Sequence, residues 1–443
     1  MRRIFGDYAY GEGPRDGCWW DHSAQPQSFP KTSDTIKADV CVIGAGYTGL
    51  NAALTLAECG ATVVVIDARY PGWGASGRNG GFCCIGGSKI TQDQLERRFG
   101  LKAAMAYREA EVSAVTHVSD LIERFGWDVD RHSKGETVLA HSNRAMCQLE
   151  ASARDIERLY GCEPNLHDTT ALRAIGMGGD FHGGLTIPIG FGLNPRKYVD
   201  GLITAALDAG VQIFAQSPAF KITKTGAHHI VHTGPGGEVH APNVVLGLNG
   251  YADEGLNRWL RARYMPAQST VLVTRPLTQT ELDAQGWTSD QMAYDSRNLL
   301  HYFRLMPDRR FLFGLRGGLF SSPSAEGRAR RAARKDFERM FPFWSHVESE
   351  HSWSGMVCLT SKALPYCGPI PGNSGLWTAF AYHGNGVAMG SFLGHRLGQL
   401  MSGQTAGDDI PEPVCSDTPR WPLGRFRRAI MPPIYWALAL ADR

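Results

Sequence analysis

Long apolar runs are missing from this chain of 443 residues. Nothing approaches the ~20 consecutive apolar residues that a helix needs to cross a bilayer, so no membrane span is expected. Arg2 and Arg3 are followed by no apolar segment, which argues against a secretory leader. A charge excess is missing too: the formal net charge is +2, too small to make nucleic acid the principal partner. The ten cysteines are scattered apart from Cys83-Cys84, and no C-x-x-C occurs. That excludes zinc ribbons and thioredoxin-type sites, and no metal site is expected. Repeats and low-complexity segments are absent as well. A hydrophobic share of 43% and a charged share of 20% describe an ordinary globular chain, long enough for two domains. The expectation is a cytoplasmic protein with free thiols.

Glycine is plentiful by contrast, with 52 in the chain. Val40 to Ile43 reads as a strand buried on both faces. Gly44, Gly46 and Gly49 follow at the spacing G-x-G-x-x-G, with Ala45, Tyr47 and Thr48 between them. The first glycine permits a tight turn, the second a close approach of backbone to a pyrophosphate, the third close packing of helix on strand. A helix over Gly49 to Cys59 would aim its N-terminal amides at the phosphates. A second buried strand, Thr62 to Ile66, runs into Asp67, 18 residues past the third glycine. An acid there suits ribose hydroxyls, with Ala68 and Arg69 beside it. The motif alone serves NAD and FAD alike.

The next segment, Gly72 to Gly81, holds five glycines in ten residues. Gly74, Ala75, Ser76, Arg78, Asn79, Gly80 and Gly81 are read as backbone and side chains pressed against a flat or charged ligand. The motif, Asp67 and this segment together resemble the FAD amine oxidases of the D-amino-acid-oxidase type, most of all their gamma-glutamylputrescine oxidase branch. The resemblance implies FAD as cofactor. It implies an α/β (α+β) fold, in which a Rossmann-like FAD-binding domain of the glutathione-reductase type is interleaved with a mixed-sheet substrate domain. The expected division is a lead at 1–37, FAD-binding pieces at 36–90, 191–264 and 355–405, substrate or cap pieces at 91–190 and 265–354, and a tail at 406–443.

Periodicity fills in the rest. Helices are expected over Leu95 to Phe125, Asn143 to Tyr160, Arg196 to Ala209, the arginine-rich Ala325 to Met340, and Val387 to Met401. Strands are expected at Val211 to Ala215, Val244 to Leu248, Thr270 to Thr274, Leu300 to Leu305, Arg310 to Leu315 and Leu376 to Ala381, and a turn at Gly234-Pro235-Gly236-Gly237. Trp19 and Trp20 are expected to pack on the domain surface. The tail from Arg420 carries an apolar stretch, Ala429 to Ala441, broken by Pro432 and Pro433. Packing on the body is expected, with contact at a membrane interface as the alternative. The resemblance also implies that Phe220 presents its backbone to the adenine, that Asn249 closes the nucleotide domain, and that Gly384, Asn385, Gly386 and Val387 face the flavin.

For an amine, a hydride leaves the carbon bonded to nitrogen for the flavin, and water hydrolyses the resulting imine. The substrate implied is a gamma-glutamylated polyamine, with pipecolate or sarcosine next, and the electron acceptor is O2 or another compound. A nicotinamide dehydrogenase and a redox-silent FAD-binding protein are the rival classes. Arg316 stands where sarcosine-type relatives carry a flavin-facing lysine; it either serves oxygen activation or pairs with a carboxylate. Tyr302 and Arg304 alternate along a strand and share a face. Arg304 either clamps a substrate carboxylate or is structural. His383 sits in the flavin-side turn, where it can tune proton transfer. The branch reads serine-glycine-histidine-glycine there, whereas this chain reads His383-Gly384-Asn385-Gly386. Lys362 stands where relatives carry an acidic or polar residue. Cys358 is either a covalent flavin attachment point or a small buried cysteine.

Overall fold

The computed structural model describes residues 2–234, 236–405 and 410–442. Pro235 of the expected turn, and the expected start of the tail at 406, lie outside them. Three larger sheets organise the chain. The first has six strands, in the order Tyr366–Pro369, Leu376–Phe380, Asn243–Leu246, Val40–Ile43, Val63–Ile66 and Gln212–Phe214. All neighbours are parallel except the edge strand Tyr366–Pro369. Both Val40–Ile43 and Val63–Ile66 are buried along their whole length. Helices on both faces require such uninterrupted apolar runs.

The helix Tyr47–Glu58 begins two residues before the expected start, capped by extended Gly46. It packs on the late helix Ala388–Ser402, where Gly394 meets the Thr48 backbone. A four-stranded sheet, Thr35–Lys37, Gly237–Ala241, His228–Gly234 and Lys221–Thr225, lies on this unit.

The largest sheet has eight strands: His351–Leu359, Met265–Val273, Phe311–Gly318, His301–Leu305, Met292–Asp295, Glu136–Leu139, Gly184–Ile187 and Asn165–His167. It is mixed, because Met292–Asp295 and Glu136–Leu139 run parallel. Phe303, Phe311, Phe313, Phe337, Phe341, Trp287 and Trp344 fill one side of it as an aromatic core. The sequence reading missed the strands Glu136–Leu139 and Gly184–Ile187, which are too short to show a clear period. The expected boundary between 354 and 355 falls inside the continuous strand His351–Leu359.

The long helix Gln92–Phe125 opens with a capping box on Thr91 and is broken at Gly100, where φ is 80°. Trp20 is buried rather than superficial: its Nε1 donates to the Asn79 carbonyl at 2.8 Å, and its ring meets Trp353 edge-on. The tail helix Met431–Ala441 carries its prolines in the first turn, where they interrupt nothing. Only Met431 of this helix is buried. No helix among the described residues is long and apolar enough to cross a membrane.

Candidate cofactor and substrate site

A cavity of about 570 Å³ runs from the glycine loops of the parallel sheet to the large mixed sheet. Its walls are dictated locally. Gly44 has φ +106°, a conformation that disfavours any side chain. A Cβ on Gly49 would be driven into the Gly44 carbonyl oxygen, so the helix reaches the strand only because position 49 is bare. Asp67 ends its strand and accepts from the backbone N–H groups of Ala45 and Arg69, at 2.9 and 2.8 Å. Burial raises its carboxyl, and those N–H groups oppose the rise. Ser76 reaches back, its hydroxyl accepting from the Tyr47 N–H at 2.9 Å.

Asn79 folds the glycine segment on itself. Its amide donates to the Ala75 and Ser76 carbonyls, and its carbonyl accepts from the Gly81 N–H. Arg78 is buried, donating to the Trp73 and Ser354 carbonyls with its guanidinium 4.0 Å from the Trp73 ring centre. Its Nη2 has no partner among the described residues, although the side chain borders the cavity. A buried donor without an acceptor is costly, and an anionic or carbonyl-bearing ligand would supply one.

At the far end, Asn249 accepts from the Ala381 N–H at 2.9 Å and joins two parallel strands beneath the cavity. His383 has φ 50°. The Thr360 hydroxyl donates to the Leu364 carbonyl and faces His383 Nε2 at 3.3 Å. That arrangement makes Nε2 the protonated nitrogen and leaves Nδ1 buried without a partner. Burial, followed by the Lys89 charge, pushes the imidazole down to about 3, so it is neutral. Asn385 donates to the Ile85 carbonyl at 2.6 Å, tying the turn to the glycine-rich amino end.

Arg316, from the mixed sheet, donates to the His383 carbonyl at 3.2 Å. Burial lowers its pKa. No carboxylate pairs with it among the described residues, which disfavours the ion-pair alternative. Lys89, a residue the sequence reading passed over, opens into the same cavity. The Arg316 charge, and then burial, push its ammonium down to about 7. Tyr302 lies against Gly80 and over Gly314, with its hydroxyl 3.0 Å from Ser269 Oγ.

Most expected residues border the cavity: Gly44 to Thr48, Asp67 to Arg69, Gly74 to Ser76, Arg78 to Gly80, Asn249, Tyr302, Arg316, Cys358 and His383 to Val387. Four do not. Gly49 acts behind the wall, as described. Gly81 has φ +73° and faces the Leu193 carbonyl and Arg304. Phe220 is half exposed and gives its N–H to the His232 carbonyl, while Pro218 and Ala219 form the wall. Arg304 is buried away from the cavity and donates to His132 Nε2 and the Leu193 carbonyl, both at 2.8 Å. It shares a face with Tyr302 as expected, but its place in the strand takes it beyond the cavity edge. Lys362 is also outside, its ammonium held by the Pro413 and Ser416 carbonyls. Burial raises the Cys358 thiol, which therefore stays protonated.

Residues 39–400 match the family described as DAO, FAD dependent oxidoreductase. The chain belongs to this family. FAD is therefore its cofactor, and the glycine cradle, the helix N-terminus and the unpartnered Arg78 nitrogen fit that group. A probable oxidoreductase OrdL of Haemophilus influenzae is 31% identical over 402 residues, covering 90% of each chain. The gamma-glutamylputrescine oxidoreductase of Escherichia coli is 28% identical over 404 residues, covering 91% of this chain and 92% of that one. Among solved structures, glycine oxidase from Geobacillus kaustophilus superposes with a TM-score of 0.70 at 20% identity, over 87% of this chain and all of its own. The six-stranded sheet itself is assembled from separated parts of the chain, residues 40–66, 212–246 and 366–380.

Proposed function

We propose that this protein oxidises a C–N bond of a small amine or N-substituted amino acid, with a gamma-glutamylputrescine-like compound as the substrate type. FAD would be held by the backbone of Gly44 to Thr48, by Asp67, by Gly74 to Gly80 and by the turn His383 to Val387. Bound there, it would accept the hydride. One observation carries the reading: Arg316, which has no carboxylate partner among the described residues, faces the cavity beside that turn, with the Lys89 amine in the same cavity. A positive potential favours the neutral form of a nearby amine, and only a neutral amine has a lone pair to assist hydride loss. The same potential stabilises negative charge developing on a reduced cofactor. Oxidation of pipecolate or sarcosine is the alternative within this chemistry.

Anaerobic mixing with gamma-glutamylputrescine, pipecolate and sarcosine tests the reading. Bleaching of the flavin bands by one of them supports it, and none bleaching overturns it. Admitting air then separates oxidase from dehydrogenase by the speed of reoxidation. Mass spectrometry of the denatured protein is expected to show no cofactor mass on Cys358.

The tail supports a membrane-facing reading of the surface. Trp436, Phe426 and Leu423 are 69%, 63% and 62% exposed, Arg420 and Arg425 are exposed beside them, and no acid lies between 420 and 441. Exposed aromatic and apolar side chains with arginines suit an anionic bilayer surface. Flotation with anionic vesicles, lost in the combined variant Leu423→Ser, Phe426→Ser and Trp436→Ser, is the expected result; no flotation, or equal flotation of both forms, overturns it.

A further inference from the structure

The cavity also holds two carboxylates that the reading above does not use. Glu111 is on the long helix Gln92–Phe125, Glu136 opens the strand Glu136–Leu139, and they are 1% and 4% exposed. Both border the cavity. Glu111 is largely satisfied: its Oε2 accepts from Arg108 Nη1 at 2.9 Å and from the Tyr160 hydroxyl at 2.7 Å. Its Oε1 is buried without a partner. Glu136 has less. The Cys84 thiol is its hydrogen-bonding neighbour, Lys89 acts on it only as a charge at longer range, and no ion pair reaches it among the described residues. An ionised carboxylate in such a place needs a cation.

The cavity is therefore lined by Arg316 and Lys89 and by two carboxylates, Glu136 and Glu111, of which only Glu111 has an ion pair among the described residues, with Arg108. We propose that Glu136, with the unpartnered oxygen of Glu111, is a subsite for a second ammonium group of the substrate, one that is kept and not oxidised. The inference rests on the C–N oxidation reading and narrows it to amines with two nitrogens: one made neutral near Arg316 and Lys89, the other held as a cation by the acids. A simple monoamine would leave Glu136 with the longer-range Lys89 charge alone.

Four titratable groups face Glu136: Cys84, Lys89, Glu111 and Tyr294. Burial pushes its carboxyl up to about 7. An arriving ammonium favours the carboxylate, so binding near neutral pH should release a proton from this site.

The test compares gamma-glutamylputrescine with N-glutaryl-1,4-diaminobutane, which has the same chain and reacting amine but lacks the second ammonium. The flavin-loaded wild type, Glu136→Gln and Glu136→Asp are used. In the wild type, the diammonium compound should have a KM about tenfold lower or better, the size of one charge-assisted contact. Glu136→Gln should erase that difference in KM with flavin content unchanged, and Glu136→Asp should restore part of it. Calorimetry in two buffers of different ionisation enthalpy should show the proton release for the wild type and not for Glu136→Gln. Equal KM values in the wild type, or a Gln variant that weakens both compounds alike, overturn the subsite. If neither compound reduces the wild-type flavin, the oxidation reading fails by itself. The subsite then stands or falls on whether calorimetry still finds preferential binding and its loss in Glu136→Gln.

Discussion

Arg316 donates to the carbonyl of His383 at 3.2 Å. That bond joins strand Phe311–Gly318 of the mixed sheet to the turn that follows strand Leu376–Phe380 of the parallel sheet. It places a guanidinium that has no carboxylate partner among the described residues at the junction of the two units.

The first prediction concerns that charge. Replacing Arg316 by Ala should lower the flavin midpoint potential by about 30 mV or more, since a lost interaction of ~1.4 kcal/mol with the two-electron reduced form has that size. Arg316→Lys should recover most of the loss. Potentiometric titration decides, and an unchanged potential in the Ala variant removes Arg316 from the redox site.

The second concerns the cradle. Gly49→Ala forces a methyl group into the Gly44 carbonyl, so helix and strand must separate. The variant should lose about 1–3 kcal/mol, as overpacked cores do, and retain little flavin. Gly6→Ala, where nothing lies within 4 Å and φ is −66°, is the control and should keep both. Flavin absorbance per protein and the unfolding midpoint are the measurements.

A third follows from His383, whose imidazole is pushed down to about 3 from its ordinary 6.5. A lowered folded-state value contributes stability that is complete above pH 6.5 and is lost as pH falls toward 3. Wild-type stability should fall by a few kcal/mol over that window through this group. Urea unfolding of His383→Asn at pH 7.5 and 4.5 should show a smaller acid loss than wild type. An identical pH slope would mean that the ring titrates normally.

The fourth tests the displacement of Arg304 from the substrate site. Its bonds to His132 and the Leu193 carbonyl are internal. Arg304→Ala should cost about 1–3 kcal/mol, because buried partners lose their hydrogen bonds. It should leave the KM for the amine within about twofold, below the smallest single-contact energies. A KM rise of tenfold with unchanged stability would restore the substrate-clamp reading.

Where the chain imposes its conformation locally, the sequence was legible. Gly44 needs positive φ, Gly49 needs no side chain, and Asp67 needs only to end a strand. Those demands are met within about one turn of the backbone. Strand alternation correctly put Tyr302 and Arg304 on one face. It could not say that the cavity stops between them, because that edge is made by His132 and Leu193, far away in the chain. The same holds for Phe220, one residue past the wall formed by Pro218 and Ala219. Lys362 differed from the resembled branch without touching the cavity, so its divergence says nothing about substrate.

The sequence by itself determined the glycine-loop geometry and the α/β class, because glycine spacing and buried β-branched runs act through backbone sterics and local burial. Only the tertiary structure brought Lys89, Glu111, Glu136 and Arg316 around one cavity. Each comes from a separate stretch of the chain, and none belongs to a local motif. Their charges interact through space across low-dielectric protein, and that coupling depends on distance in the fold rather than on separation along the chain.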